Sequence, residues 1–200
     1  MNAYTDIKAK AGADAIAKPI QLAHVVLHTS RFVEMVDWYK SVLQMYPSYE
    51  DDHISFLTFD EEHHRVALVS VPGLQERADG HVGVHHMAFT FRNLTELLAT
   101  HERLAAQGIQ PYWAVNHGIT VSLYFNDPDR NRVELQVDVF ATADEALAYC
   151  AGPDFKENPI GVDFDPAEML ARLRAGATEA ELKVRPNIGP RGLASGFPMG

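Results

Sequence analysis

Three side chains in this 200-residue chain can bind a metal and stand where such groups are costly to bury. His24 falls between Ala23 and Val25, His86 between His85 and Met87, and Glu134 between Val133 and Leu135. Each stretch reads as an apolar strand, where an ionisable group needs a partner. Taken singly, each has an ordinary explanation: a hydrogen-bonded core histidine, or a carboxylate turned to water. Taken together, two imidazoles and one carboxylate from different strands compose a facial triad. That donor set leaves coordination positions open and suits non-haem Fe(II) and dioxygen chemistry.

Other residues extend the set. Tyr124 precedes Glu134 by one hairpin, which can bring its phenol to the metal; the alternative is an aromatic packed between Leu123 and Phe125. His63 and His64 stand side by side in a turn, and an imidazole titrating near neutrality can move a proton. His117, next to Gly118, is a second acid–base candidate on a loop. His53, His81 and His101 read as turn or helix-surface residues, and His28 as a strand-end residue. Phe56, Phe59, Tyr112, Trp113 and Phe140 either line an apolar substrate pocket or belong to the core. Asp127-Pro128-Asp129-Arg130-Asn131 reads as a tight turn.

The elements that must position these groups come in two similar halves. After an alanine-rich arm over 1–18, residues 21–28 read as a strand. Ser30 can cap a helix whose apolar stripe is Phe32, Met35, Val36, Tyr39 and Leu43. Strands are expected at about 48–51, 54–59 and 65–71. The order then recurs: a strand over 83–91, and a helix capped by Asn93, carrying Leu94, Leu97, Leu98, Leu104 and Ala105 and ended by Gly108. Strands follow at about 110–114, 120–126 and 132–137. Ser55 aligns with Ser122, Asp60 with Asp127, Arg65 with Arg132, Val66 with Val133 and Leu68 with Leu135, while His24 aligns with His86. The fold class is therefore α+β, with paired βαβββ modules at about 19–80 and 81–141. The partner of Glu134 in this alignment is Ala67, so a symmetric site of two histidines and two carboxylates lacks one ligand.

A helical extension over 142–200 completes the chain. Thr142 with Glu145 and Asp165 with Glu168 have capping-box spacing, and Pro166 suits a first helical position. The Pro- and Gly-rich stretch 183–200 is expected to be extended and to clasp a partner. Acidic residues outnumber basic ones by 27 to 17, giving a net charge of −10, which argues against nucleic-acid or anionic-membrane partners. Apolar runs such as Val66–Val71 are far shorter than the about 20 residues of a membrane span. Asp6, Lys8, Lys10 and Asp14 interrupt any signal-peptide core. Cys150 is the only cysteine, so neither an internal disulfide nor a thiolate zinc cluster can form, and a cytoplasmic location is expected.

The run from Ser122 to Leu135 resembles the signature of the vicinal oxygen chelate superfamily, which includes glyoxalases, bleomycin resistance proteins and dioxygenases. Within it, the chain is similar to type I extradiol ring-cleaving dioxygenases of the dihydroxybiphenyl and catechol 2,3-dioxygenase kind. Leu22-Ala23-His24-Val25-Val26 resembles the first metal-ligand strand of that family. Val84-His85-His86-Met87-Ala88-Phe89 resembles the second, and His63-His64-Arg65-Val66-Ala67-Leu68 resembles the segment that carries the acid–base histidine. The resemblance spans about 20–140. It implies a U-shaped mixed-sheet half-barrel around Fe(II), less often Mn(II), held by His24, His86 and Glu134. It also implies a catecholic substrate such as 2,3-dihydroxybiphenyl, dioxygen as co-substrate, His64 moving a proton, and Tyr124 bonding a diol oxygen. The chain departs from the family pattern in having one module pair and Arg130 where a turn glycine is usual. His117 is off the common spacing, and the extension has no counterpart in the core module. A single pair implies a homodimer or larger assembly, with the extension as oligomer contact or lid. Two other readings compete: a non-redox isomerase, epimerase or thiol transferase of the same superfamily, and a metal-free aromatic-drug-binding protein. The missing carboxylate at Ala67 speaks against the first, and the full triad against the second.

Overall fold

The computed structural model describes residues 18–75 and 82–192; the expected arm, apart from Lys18, His81 and the last residues of the tail lie outside them. The first half contains β1 (Val25–Thr29), α1 (Phe32–Leu43), β2 (Tyr46–Glu50), β3 (Ile54–Thr58) and β4 (Val66–Ser70). The second contains β5 (His86–Thr90), α2 (Leu94–Ala105), β6 (Trp113–Asn116), β7 (Thr120–Asn126) and β8 (Arg132–Asp138). The first sheet has the order β1-β4-β3-β2, and the second repeats it as β5-β8-β7-β6. A further strand, β9 (Val162–Asp163), adds to β6 from the extension. In each half the first strand runs parallel to the last and the others pair antiparallel. Joining parallel neighbours requires a crossover, and α1 and α2 form part of those connections.

Alternation along β7 and β8 creates a dry face and a chemical face. Val121, Leu123, Phe125, Val133, Leu135 and Val137 enter one core shared with Met35, Tyr39 and Leu57 of the first half. Ser122, Tyr124 and Glu134 fall on the opposite parity. Fully burying each large apolar side chain contributes about 1.5–3 kcal/mol, so this alternation sets the register firmly.

The structure corrects several local expectations. Ser30 does not cap α1; Arg31 holds the N-cap position, and Thr29 Oγ1 accepts from the Arg31 N–H at 2.8 Å. Asn93 does cap α2, accepting from Glu96 N at 2.8 Å. Ala67 and Glu134 are equivalent, since Ala67 pairs with Val26 as Glu134 pairs with Ala88. The alignment of Ser55 with Ser122 fails, however. Phe56 opposes Ala67 and Tyr124 opposes Glu134, so Phe56 is the counterpart of Tyr124 and Ser55 that of Leu123. The turn before β4 is one residue longer than the turn before β8, and a one-residue slip exchanges the faces of a strand. On the outer edge, β2 carries Pro47 and a register break between Pro47 and Tyr49.

The turn before β8 is organised by buried Asp127. It accepts from Asp129 N at 3.0 Å, Asn131 N at 2.7 Å, Asn131 Nδ2 at 2.9 Å and the Tyr39 hydroxyl at 3.1 Å. Arg130, at φ 63°, takes the left-handed conformation that favours glycine. We expect Asp127→Ala to destabilise the protein by about 3 kcal/mol, because it leaves buried donors unpaired. Urea unfolding checks this, and an unchanged midpoint at unchanged slope would contradict it.

The extension folds back on its own chain. It comprises α3 (Ala143–Ala151), α4 (Pro153–Glu157), β9, α5 (Pro166–Arg174) and α6 (Glu179–Lys183). Thr142 and Glu145 form the expected capping box, Asp165 caps α5, and Thr178 with Glu181 forms a box that the sequence reading passes over. Met169, Leu170 and Leu182 join the main core. Glu179 accepts from Leu94 N at 3.2 Å and Thr95 N at 2.9 Å, placing a carboxylate on the N-terminus of α2. The stretch after α6, expected to clasp a partner, lies along this chain as far as it is described. Arg185 donates to Asn158 O and Asp154 O, and Arg191 to Gly161 O and Asp163.

Candidate metal centre

Register brings the second-half residues together. Tyr124 and Glu134 are direct cross-strand partners on β7 and β8, and His86 opens the parallel neighbour β5. His86 Nε2 lies 2.9 Å from Glu134 Oε2. Glu134 is only 4% exposed. Burial pulls its carboxyl upward, but hydrogen bonds with His86, Ser122 and Tyr124 outweigh this and hold it below the ordinary carboxylate range. Glu134 is therefore an anion at neutral pH. The Tyr124 phenol is pushed well above its ordinary value, by burial first and then by the charge of Glu134, and so keeps its proton. Trp113, opposite Tyr124 on β6, stacks on it with centroids 4.9 Å apart. His117 follows β6 directly, and its Nε2 lies 3.0 Å from the Tyr124 hydroxyl. Burial pushes the His117 imidazole below its ordinary value.

The first-half residues form a second cluster. His24 precedes β1 rather than lying within it, and it is exposed, contrary to the reading of a buried strand residue. Arg65 Nη1 donates to Leu22 O at 2.9 Å and Ala23 O at 3.1 Å, while its guanidinium grips Asp60, so the chain ahead of His24 is tied to the turn before β4. The His24 ring lies 4.2 Å from that of His64. His64 is sandwiched on its other side by Phe56, stacked at 4.5 Å, and its Nδ1 lies 2.6 Å from His63 Nδ1. Of the five aromatics considered for the pocket, Phe56, Tyr112 and Trp113 contact these clusters, Phe59 meets Phe89, and Phe140 lies apart against Tyr149. His28 and His53 are exposed as expected, whereas His101 is buried on α2 rather than on the helix surface.

Among the described residues no group of three His, Cys, Asp or Glu side chains gathers as ligands. The structure joins His86 to Glu134 and sets His24 beside His64. The donor chemistry nonetheless fits a divalent ion: an imidazole nitrogen faces an anionic carboxylate, and that carboxylate is oriented by further hydrogen bonds. His85, which the sequence reading leaves without a role, places its Nδ1 2.7 Å from His86 Nδ1, and Arg132 donates to its other nitrogen. Two contributors had no signal in a single strand pattern. Ser122 hydrogen-bonds Glu134 from β7, and the Ile160 carbonyl reaches His117 Nδ1 from the extension.

Residues 21–135 match the Glyoxalase/Bleomycin resistance protein/Dioxygenase superfamily. The chain is 52% identical over 157 residues to Biphenyl-2,3-diol 1,2-dioxygenase 2 of Rhodococcus globerulus, covering 78% of this chain and 83% of that one. It is 45% identical over 167 residues to Biphenyl-2,3-diol 1,2-dioxygenase 3 of the same organism, covering 82% and 88%. Among solved structures, a glyoxalase/dioxygenase from Nostoc punctiforme superposes with a TM-score of 0.53 at 14% identity, covering 64% of this chain and 99% of that one.

Proposed function

From the chain's membership of the glyoxalase/bleomycin resistance protein/dioxygenase superfamily, we propose that it is an Fe(II)-dependent enzyme opening 2,3-dihydroxybiphenyl, or a similarly substituted catechol, beside its diol. Its kinship makes it an extradiol ring-cleaving dioxygenase, an oxidoreductase that takes both atoms of dioxygen into the product. The observation that carries the reading is 52% identity to a dioxygenase over most of both chains. The register-locked cluster of Tyr124, Glu134 and His86 supports it. The non-redox readings have no comparable support, and Ala67 leaves the first half without a second carboxylate.

His24, His86 and Glu134 would hold the ion, and Mn(II) accepts the same donors as Fe(II). When bound, iron supplies Lewis acidity and redox chemistry, lowering the diol's pKa and allowing electrons to pass from diol to dioxygen. The protein does the rest. Tyr124, protonated and fixed between Trp113 and His117, hydrogen-bonds a diol oxygen. His64 is stacked on Phe56, and burial foremost favours its neutral form, which suits it to accept a proton at its other ring nitrogen and return it during ring opening. Trp113, Tyr112 and Phe56 offer aromatic surface to a flat substrate. Among the described residues no helix is long and apolar enough to cross a membrane.

Oxygen uptake tests this reading. Protein purified anaerobically and loaded with Fe(II) is expected to consume one O2 per 2,3-dihydroxybiphenyl and to form a yellow ring-opened product. Weaker turnover is expected with catechol and 3-methylcatechol. The absence of uptake by iron-replete protein with all three diols would overturn it.

A further inference from the structure

The least expected contact of the site comes from outside both repeated halves. The segment between α4 and β9 runs beneath the loop that carries His117. Its buried Asn158 clamps Gly161 from both sides, accepting from Gly161 N at 2.7 Å and donating from Nδ2 to Gly161 O at 3.1 Å. Gly161 has φ 113°, and a Cβ there would lie 2.8 Å from His117 Cα and closer still to the Asn116 carbonyl oxygen. The turn is thus pressed against the backbone of His117. Ile160, enclosed by the clamp, makes two kinds of contact. Its side chain packs with Trp113, Val115 and Tyr124, and its carbonyl oxygen accepts from His117 Nδ1. Arg185 secures the turn from behind, donating to Asn158 O at 2.6 Å and Asp154 O at 2.9 Å while covering the Tyr149 ring.

A carbonyl can only accept, so His117 must carry its proton on Nδ1. In the neutral ring that burial favours, Nε2 is then the acceptor, and it lies 3.0 Å from the Tyr124 hydroxyl. His117 Nε2 thus offers the single phenol proton a second acceptor beside the Glu134 carboxylate, which also bonds Tyr124. A ring with the opposite tautomer would present a donor to Tyr124 and turn that proton to Glu134 alone.

We propose that the Asn158–Gly161 turn of the extension is a positioning element of the active site, with Asn158 and Arg185 as positioning residues that set the His117 tautomer and through it the orientation of the Tyr124 hydroxyl. The inference rests on the dioxygenase reading for its kinetic consequence, but not for its structural one.

Two readouts test it in the full chain. With histidine ring nitrogens labelled, long-range proton–nitrogen spectra at neutral pH are expected to show Nδ1–H and unprotonated Nε2 at His117. In Asn158→Ala the two tautomers should mix. The same variant should lose about tenfold to a hundredfold in kcat on 2,3-dihydroxybiphenyl while KM and iron content stay within about twofold. Arg185→Met should act in the same direction, and Arg185→Lys, which can still donate to the Asn158 carbonyl, should recover part of the loss. If Asn158→Ala does not fold, the Arg185 pair decides. An Nε2–H tautomer in the unsubstituted protein, or unaltered kcat in folded and iron-replete Arg185→Met, would overturn the inference. Absence of ring cleavage by the unsubstituted protein would instead sink the dioxygenase reading, leaving the tautomer spectrum to judge the turn by itself.

Discussion

Glu134→Ala is expected to lose bound iron and ring cleavage together, with turnover down on the order of a thousandfold or more. The carboxylate is the anionic member of the proposed ligand set, and it lies 2.9 Å from the imidazole that would share the ion. Its environment is built to keep it charged, since the bonds from His86, Ser122 and Tyr124 overcome the cost of burial. Removing it should leave the fold in place, because Glu134 lies away from the apolar face of β8, but at a cost in stability, since His86, Ser122 and Tyr124 lose their shared acceptor. A cooperative thermal transition, at a lowered midpoint, should therefore accompany the lost activity. Iron per chain after gel filtration, measured beside oxygen uptake, is the decisive pair. Full iron occupancy with ordinary turnover would remove Glu134 from the site.

His64→Ala should behave differently, retaining iron and slowing turnover by about a hundredfold to a thousandfold, the range for losing a positioned acid–base group. The ring is 8% exposed, stacked on Phe56 and facing His24. Burial foremost, and then the neighbouring histidines, push its imidazole below the ordinary value. The sign follows from that direction. The neutral ring is the working form, so kcat/KM should fall on the acid side at a pH below the ordinary histidine value of about 6.5, and this limb should vanish in the variant. Stability should follow the same sense: as pH falls, the unfolded chain takes up the proton before the folded one, so the native state loses stability through His64 below about 6.5. Turnover and acid limb both unchanged in His64→Ala would exclude the residue from the mechanism.

The parts of the fold that could be read in the chain were those where a periodic pattern and a burial requirement agree. β7 and β8 alternate strictly, so Leu123 and Leu135 declare the core face and thereby place Tyr124 and Glu134 on the other. Asn93 and Thr142 cap as their spacing predicts, because a local side-chain bond to the backbone needs no tertiary partner. Matching letters between the halves misled at Ser55, since register depends on turn length as well as identity. The apolar neighbours of His24 suggest a buried strand residue, yet Leu22 and Val26 are themselves exposed. β9 and the Ile160 carbonyl were illegible for a different reason. A two-residue strand has no period, and a backbone oxygen has no letter of its own. The site's second-half residues could therefore be named from sequence, while the groups that hold them in place could not.

The outer strands of the two sheets are finished differently, and this restricts how copies of the chain can meet. β6 is not left as an edge, because β9 pairs with it and stops after two residues. β2 remains at the border of its sheet but carries Pro47, which offers no N–H, and an irregular register immediately after it. Short strands, prolines and bulges are the devices that keep sheet borders from templating further strands. Neither of these two borders is suited to prolonging a ladder from one molecule into the next. Copies of this enzyme that meet along the β2 side or the β9 side would have to do so through side-chain surfaces.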